Sequence, residues 1–147
     1  MSKNTAIYIA DPSMLVSRVF DTIESIKSYE GISSDAVITG IRFYLSWGSV
    51  AMNIMPSDEM GEHLREFSDY ASHVIKDDDD LLYTLARIKY VRMVLGCIVE
   101  HKEEDIDAVH SFLISFNGAL NGLLFIYDSI IDWSGEALSG PMAATQS

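Results

Sequence analysis

The chain has 147 residues and 16.4 kDa, and its 22 acidic side chains outnumber 10 basic ones for a formal charge of -12 and a pI near 4.5. That length suits one domain, and 48% hydrophobic residues with a mean hydropathy of +0.14 can supply its core without a disulfide or metal staple. The charge excludes the classes that bind nucleic acid or anionic membrane surfaces through broad basic patches.

Taken in chain order, Thr5 to Ala10 reads as a first strand, because it is short, partly alternating and contains Ile7, Tyr8 and Ile9. No export signal is read in 1–10, where the apolar run is too short for a signal-peptide core. Asp11-Pro12 then has the chemistry of a helix start, with Asp capping and Pro at the first helical position. Val16, Val19, Phe20, Ile23 and Ile26 follow at helical steps, which predicts a helix to about Tyr29, ended by Gly31.

Residues 36–55 are rich in Val, Ile, Phe and Tyr around Ser46-Trp47-Gly48 and predict a β-hairpin. Pro56 to Glu59 opens a second helix whose apolar stripe is Met60, Leu64, Phe67, Ala71 and Val74. Asp77 to Asp80 reads as a linker and cap for a third, mostly apolar helix over 81–100. A fourth helix is expected from near Asp105, with Ile106, Val109, Phe112, Leu113 and Phe116 on one side, and Asn117-Gly118 and Asn121-Gly122 mark its end. A strand over 123–131, a turn at Ser134-Gly135 and a short strand over 136–138 complete the pattern. The expected fold is α+β, a small antiparallel or mixed sheet built from the hairpin 36–55 and C-terminal strands, covered by about four helices. A single domain spans 1–138, with a flexible tail over 139–147.

The longest charge-free apolar run, 93–99, is far short of the roughly 18 residues that a membrane span requires. Cys97 is the only cysteine and lies inside that run, so no intrachain disulfide framework exists and a cytoplasmic setting is expected.

Charge is unevenly placed. Residues 56–80 carry a net -7, residues 81–102 a net +3, and from Glu103 onward there are seven acids and no lysine or arginine. The plainest reading is solvation of an apolar chain. The sharper one is a negative surface that steers a basic protein partner. On that reading the contacts are Asp77, Asp78, Asp79 and Asp80, a second cluster of Glu103, Glu104, Asp105 and Asp107, and Asp132, Trp133 and Glu136, where an aromatic anchor joins acids.

Chemistry-bearing spacings are otherwise missing from the sequence. Asp77 to Asp80 lacks the alternating ligands, glycine and terminal Glu of a calcium loop. His63, His73, His101 and His110 form no zinc spacing, although Glu59 with His63 and His101 with Asp105 are each four apart. Cys97 in an apolar helix is a poor nucleophile, and no GxSxG elbow or glycine-rich phosphate loop occurs. Lys89 and Arg92, with Arg87, must surface or find carboxylates, with Asp128, Glu66 or Asp69 as candidates.

The expected function is therefore a non-catalytic acidic protein-binding module with no cofactor and no metal. Its composition resembles that of small cytoplasmic neutralising proteins of the immunity type, which are single-domain, acidic and free of catalytic motifs. The resemblance is compositional alone. Two alternatives stand beside it. One is a small-ligand protein or enzyme with a pocket between sheet and helices, using Tyr44, Asp128 or His110. The other is a homodimer in which Arg42 to Leu45 pairs across an exposed strand edge.

Overall fold

The structure is a computed structural model that describes residues 5–13 and 23–144. Strand β1 (Thr5–Ile9) forms where the sequence pattern placed it, and Ile7, Tyr8 and Ile9 are among its most buried side chains. The Asp11 carboxylate accepts a hydrogen bond from the Ser13 amide at 3.1 Å, the local bond expected of a capping Asp. The helix expected beyond it lies in part outside the described residues, and its expected last part is a strand, β2 (Ser28–Ser34).

Two tight hairpins follow. Asp35 and Ala36, at φ of 51° and 64°, turn β2 into β3 (Val37–Leu45), and the two-residue Ser46-Trp47 link turns β3 into β4 (Gly48–Ile54). Gly48 is required there, since a Cβ would run into the Glu100 carbonyl oxygen of the neighbouring strand. Helix α1 (Ser57–Val74) buries Phe67 and Ala71 from the expected stripe, and α2 (Asp78–Lys89) buries Thr84 and Ile88. Strand β5 (Met93–His101) leads through a 3-10 turn, Glu103–Asp105, into α3 (Ile106–Ala119). Short strands β6 (Leu123–Ile126), β7 (Ser129–Ile131) and β8 (Ala137–Ser139) close the sheet. Of the segment read as a tail, Ser139 ends β8 and Pro141–Ala144 form one helical turn, α4.

The strands make one antiparallel sheet of eight, in the order β2-β3-β4-β5-β1-β6-β7-β8. This overturns the expected small sheet of a hairpin plus C-terminal strands. The expected helix over 81–100 is two elements, because α2 ends at Lys89 and β5 occupies the very centre of the sheet. A strand covered on both faces loses its polar alternation and reads as a continuous apolar run, which a buried helix also does. The expected single strand over 123–131 is likewise a hairpin turning at Tyr127 and Asp128, both at positive φ.

The chain folds as one compact α+β domain in three layers. Helices α1 and α2 pack on one face of the sheet through Phe67, Ala71, Ile88, Tyr8, Val94, Leu123 and Ile130. Helix α3 packs on the other through Val109, Phe112, Leu113 and Phe116 against Ile7, Phe43, Met52 and Leu124. Each such large side chain taken from water contributes roughly 1.5 to 3 kcal/mol before ordering costs. β3 is hydrogen-bonded to β2 on one side and β4 on the other, so Arg42 to Leu45 does not lie on a sheet edge. Among the described residues, no helix is long and apolar enough to cross a membrane.

Candidate ligand cleft

Alternation along β5 places Val94, Gly96 and Ile98 on the face that α1 covers, beside Ala6 and Tyr8 of β1 and Asn53 of β4. Helix α1 crosses only part of that face. Gly96 has no side chain to fill the space left beneath the helix, and a Cβ built there meets nothing closer than the Asn53 carbonyl oxygen at 3.9 Å. The result is an open cleft of about 420 Å³ between α1 and the sheet, within the size range of small-molecule sites.

Its wall is aromatic. The Tyr8 ring stacks on Phe67 with centroids 4.1 Å apart and planes within 2°, and Phe125 stands edge-on to both Phe67 and Tyr70 at 6.0 and 5.6 Å. Offset and edge-to-face pairs of this kind add to the area they bury. His63, one turn before Phe67 on α1, completes the wall, and the Tyr8 hydroxyl and His63 Nε2 are 2.8 Å apart. Burial holds the Tyr8 phenol well above its ordinary range, so it keeps its proton at neutral pH and shares a hydrogen bond with the His63 ring. Tyr70 at the far end donates to the Asp128 carbonyl oxygen at 2.9 Å, pinning α1 to the β6–β7 turn, and burial followed by the Asp128 charge raises its phenol too. Thr5, Asn53 and Glu66 supply further hydrogen-bonding side chains to the lining.

The polar residues named from sequence for a pocket lie elsewhere. The Tyr44 hydroxyl bonds to the Glu30 carboxylate across β2 and β3, Asp128 sits in the β6–β7 turn, and the His110 ring faces Tyr127 at 6.4 Å on the α3 side. The Tyr8 and His63 pair was not legible, since the two residues are 55 apart and no local pattern links them. Gly96 is the signal that was available: a glycine in the middle of a β-branched run marks a bulge or a close approach rather than a helix interior.

The predicted acidic contacts fall into two groups at opposite ends of α3. Asp77 caps α2 by accepting from the Asp80 amide at 2.9 Å, with Asp78, Asp79 and Asp80 in the first turn. Partial burial, and then the charges of Asp77, Asp132 and Asp79, raise the Asp80 carboxyl above the usual carboxylate range, so the fold brings the α2 start and the β7–β8 turn together. In that turn Asp132 Oδ1 accepts from the Ser134 amide, the Ser134 hydroxyl and the Glu136 amide at 2.9, 2.6 and 3.1 Å. Trp133 beside it is 52% exposed. The Trp133 carbonyl abuts Gly118 near the end of α3, whereas Glu103, Glu104 and Asp105 form the 3-10 turn before it and Asp107 lies in its first turn. The 14 residues of α3 separate the groups by about 20 Å.

The basic side chains at the end of α2 and in the link to β5 do not find the expected carboxylates. Arg87 donates to the Asn121 carbonyl oxygen, Lys89 lies over the Tyr90 ring at 5.9 Å, and Arg92 stands near Asp11. Cys97 is buried on β5, and desolvation pushes its thiol up to about 12. Among the described residues, no group of three or more His, Cys, Asp or Glu side chains is placed to hold a metal ion. No protein-family model matches the chain, and neither the curated proteins nor the solved structures give a match.

Proposed function

We propose that this protein binds a small organic ligand in the cleft between α1 and the sheet. The observation that carries the reading is the open floor at Gly96 beneath an aromatic wall and the Tyr8 and His63 pair, a largely apolar concavity with a few convergent polar groups. A glycine there leaves vacant a volume that any larger side chain would fill. The test is a thermal-shift screen of a metabolite set on the wild-type protein and on Gly96→Leu. Leucine suits a strand, meets no close backbone and occupies the cleft. A compound that raises the wild-type melting temperature and leaves Gly96→Leu unmoved supports the reading. A compound that shifts both equally, or a set that shifts neither, counts against it.

A second reading, an acidic surface that docks a basic protein of the kind an immunity-type protein neutralises, draws support from the meeting of Asp80 and Asp132 next to the half-exposed Trp133. Its test is a pull-down from the native lysate at low and moderate salt, with wild-type protein and with Asp78, Asp79, Glu103 and Glu104 changed to Asn and Gln. One basic protein recovered at low salt and lost in the variant supports it. Equal recovery by both proteins sinks the electrostatic version.

A further inference from the structure

Resting on the cleft being the ligand site, we infer that its occupant is an organic cation, an amine carrying an apolar or aromatic body. The inference comes from the charge and ring chemistry of the described residues that line the cleft. Glu66 is the one formally charged side chain among them, and no lysine or arginine joins it. An anionic ligand would therefore enter beside a carboxylate with no cation to receive it, in a chain whose net charge is -12.

Over 62–69 of α1, acidic Glu62, Glu66 and Asp69 outnumber the one basic side chain, Arg65. Glu66 and Glu62 are exposed on α1 one turn and one residue away from His63, and Glu100 is exposed two residues beyond Ile98 on the same face of β5. Glu66 lines the opening itself, and charges within a Debye length of about 8 Å act on a ligand there at physiological salt.

The wall then matches the body of such a ligand. Tyr70 and Phe125, both partly exposed, are set at 89° to each other, so an ammonium group at the opening meets one ring by its face while the apolar body lies along the other. Aromatic faces attract cations through their quadrupole, and that attraction grows as the site loses water. Ile98, 61% exposed, and Gly96 give the apolar body its floor.

The experiment uses three matched probes, 2-phenylethylamine, 3-phenylpropanoate and 2-phenylethanol, titrated by calorimetry into the full chain and into Glu66→Gln and Gly96→Leu. Glu66 is exposed in mid-helix, so its amide variant keeps the fold. The expected result is amine binding about tenfold tighter than either of the other probes, a loss of about fivefold or more in Glu66→Gln, and no binding in Gly96→Leu. Binding of the acid or the alcohol as tightly as the amine, blocked by Gly96→Leu, overturns the cation assignment and leaves the cleft as a ligand site. Compounds from the metabolite set that bind while all three probes fail overturn the cation assignment in the same way. Failure of the probes and of the whole set overturns both.

Discussion

Tyr8 and His63 meet at 2.8 Å across 55 residues, tying one of the sheet's two central strands, β1, to α1. The same tyrosine lies flat against Phe67, so one side chain holds the helix by a polar tip and an apolar face at once.

Tyr8→Phe separates the two contributions. The ring stacks as before, and the hydroxyl bond is lost. His63 is partly exposed, so water can satisfy its nitrogen, and the cost is that of one net hydrogen bond, about 1 kcal/mol. Urea denaturation should show a lower midpoint at an unchanged slope. A variant as stable as the wild type would mean that the pair contributes nothing to the folded state.

Ala36→Gly should stabilise the protein. Asp35 and Ala36 form the two-residue link between β2 and β3, both at positive φ, the geometry in which Asp-Gly is among the favoured pairs. An L-residue in that region pays roughly 1 kcal/mol in backbone strain. Ala36 is exposed, so removing its methyl group loses no buried contact. The expected gain is about 1 kcal/mol, read as a higher melting temperature, with a fall in stability as the contrary outcome.

Elements with one wet face were legible in the sequence, and those without one were not. The stripe of Met60, Leu64, Phe67, Ala71 and Val74 forecast α1 because polar residues fill its other side, and the run from Ile106 to Phe116 forecast α3 for the same reason. β5 failed that test, since Leu95 and Cys97 face α3 while Val94 faces α1 and α2, leaving no polar period to read. β2 failed for the opposite reason: Ser28, Glu30, Gly31 and Ser33 are all exposed at the sheet's edge, and no apolar period marks the strand. The cleft depends on the first of these errors being put right, because Gly96 is a floor only once β5 is a strand.

The acidic residues should divide by what their oxygens hold. Asp77 caps α2 and Asp132 organises the β7–β8 turn through three bonds, so Asp77→Ala should cost about 1 kcal/mol and Asp132→Ala about 1 to 3 kcal/mol. Asp79 is exposed and bonds to no group that the fold depends on. Its favourable place at a helix start is offset by its repulsion of Asp80, and Asp79→Ala should stay within about 0.5 kcal/mol of wild type. Thermal melts of the three variants read this order directly, and a destabilisation by Asp79→Ala equal to that of Asp77→Ala would contradict it.

Stability should fall on the alkaline side, starting with Cys97. In the unfolded chain its thiol loses its proton above the ordinary value of 9.0, whereas burial delays that loss in the folded protein to about 12. Between those values the unfolded state binds fewer protons, so its free energy drops relative to the native state as pH rises, and stability is lost through that window. The sign is that of a raised pKa: the contribution is complete below pH 9 and gone above the folded value. At pH 10 the loss amounts to about 1.4 kcal/mol. Tyr8, whose phenol is also raised by burial, adds to the decline only above its ordinary value of 10.0. Cys97→Ala therefore isolates the first window. The stability gap between wild type and this variant should narrow by about 1.4 kcal/mol from pH 7 to pH 10 in urea titrations, and a gap that stays constant would place the thiol in a far more polar site than β5 provides.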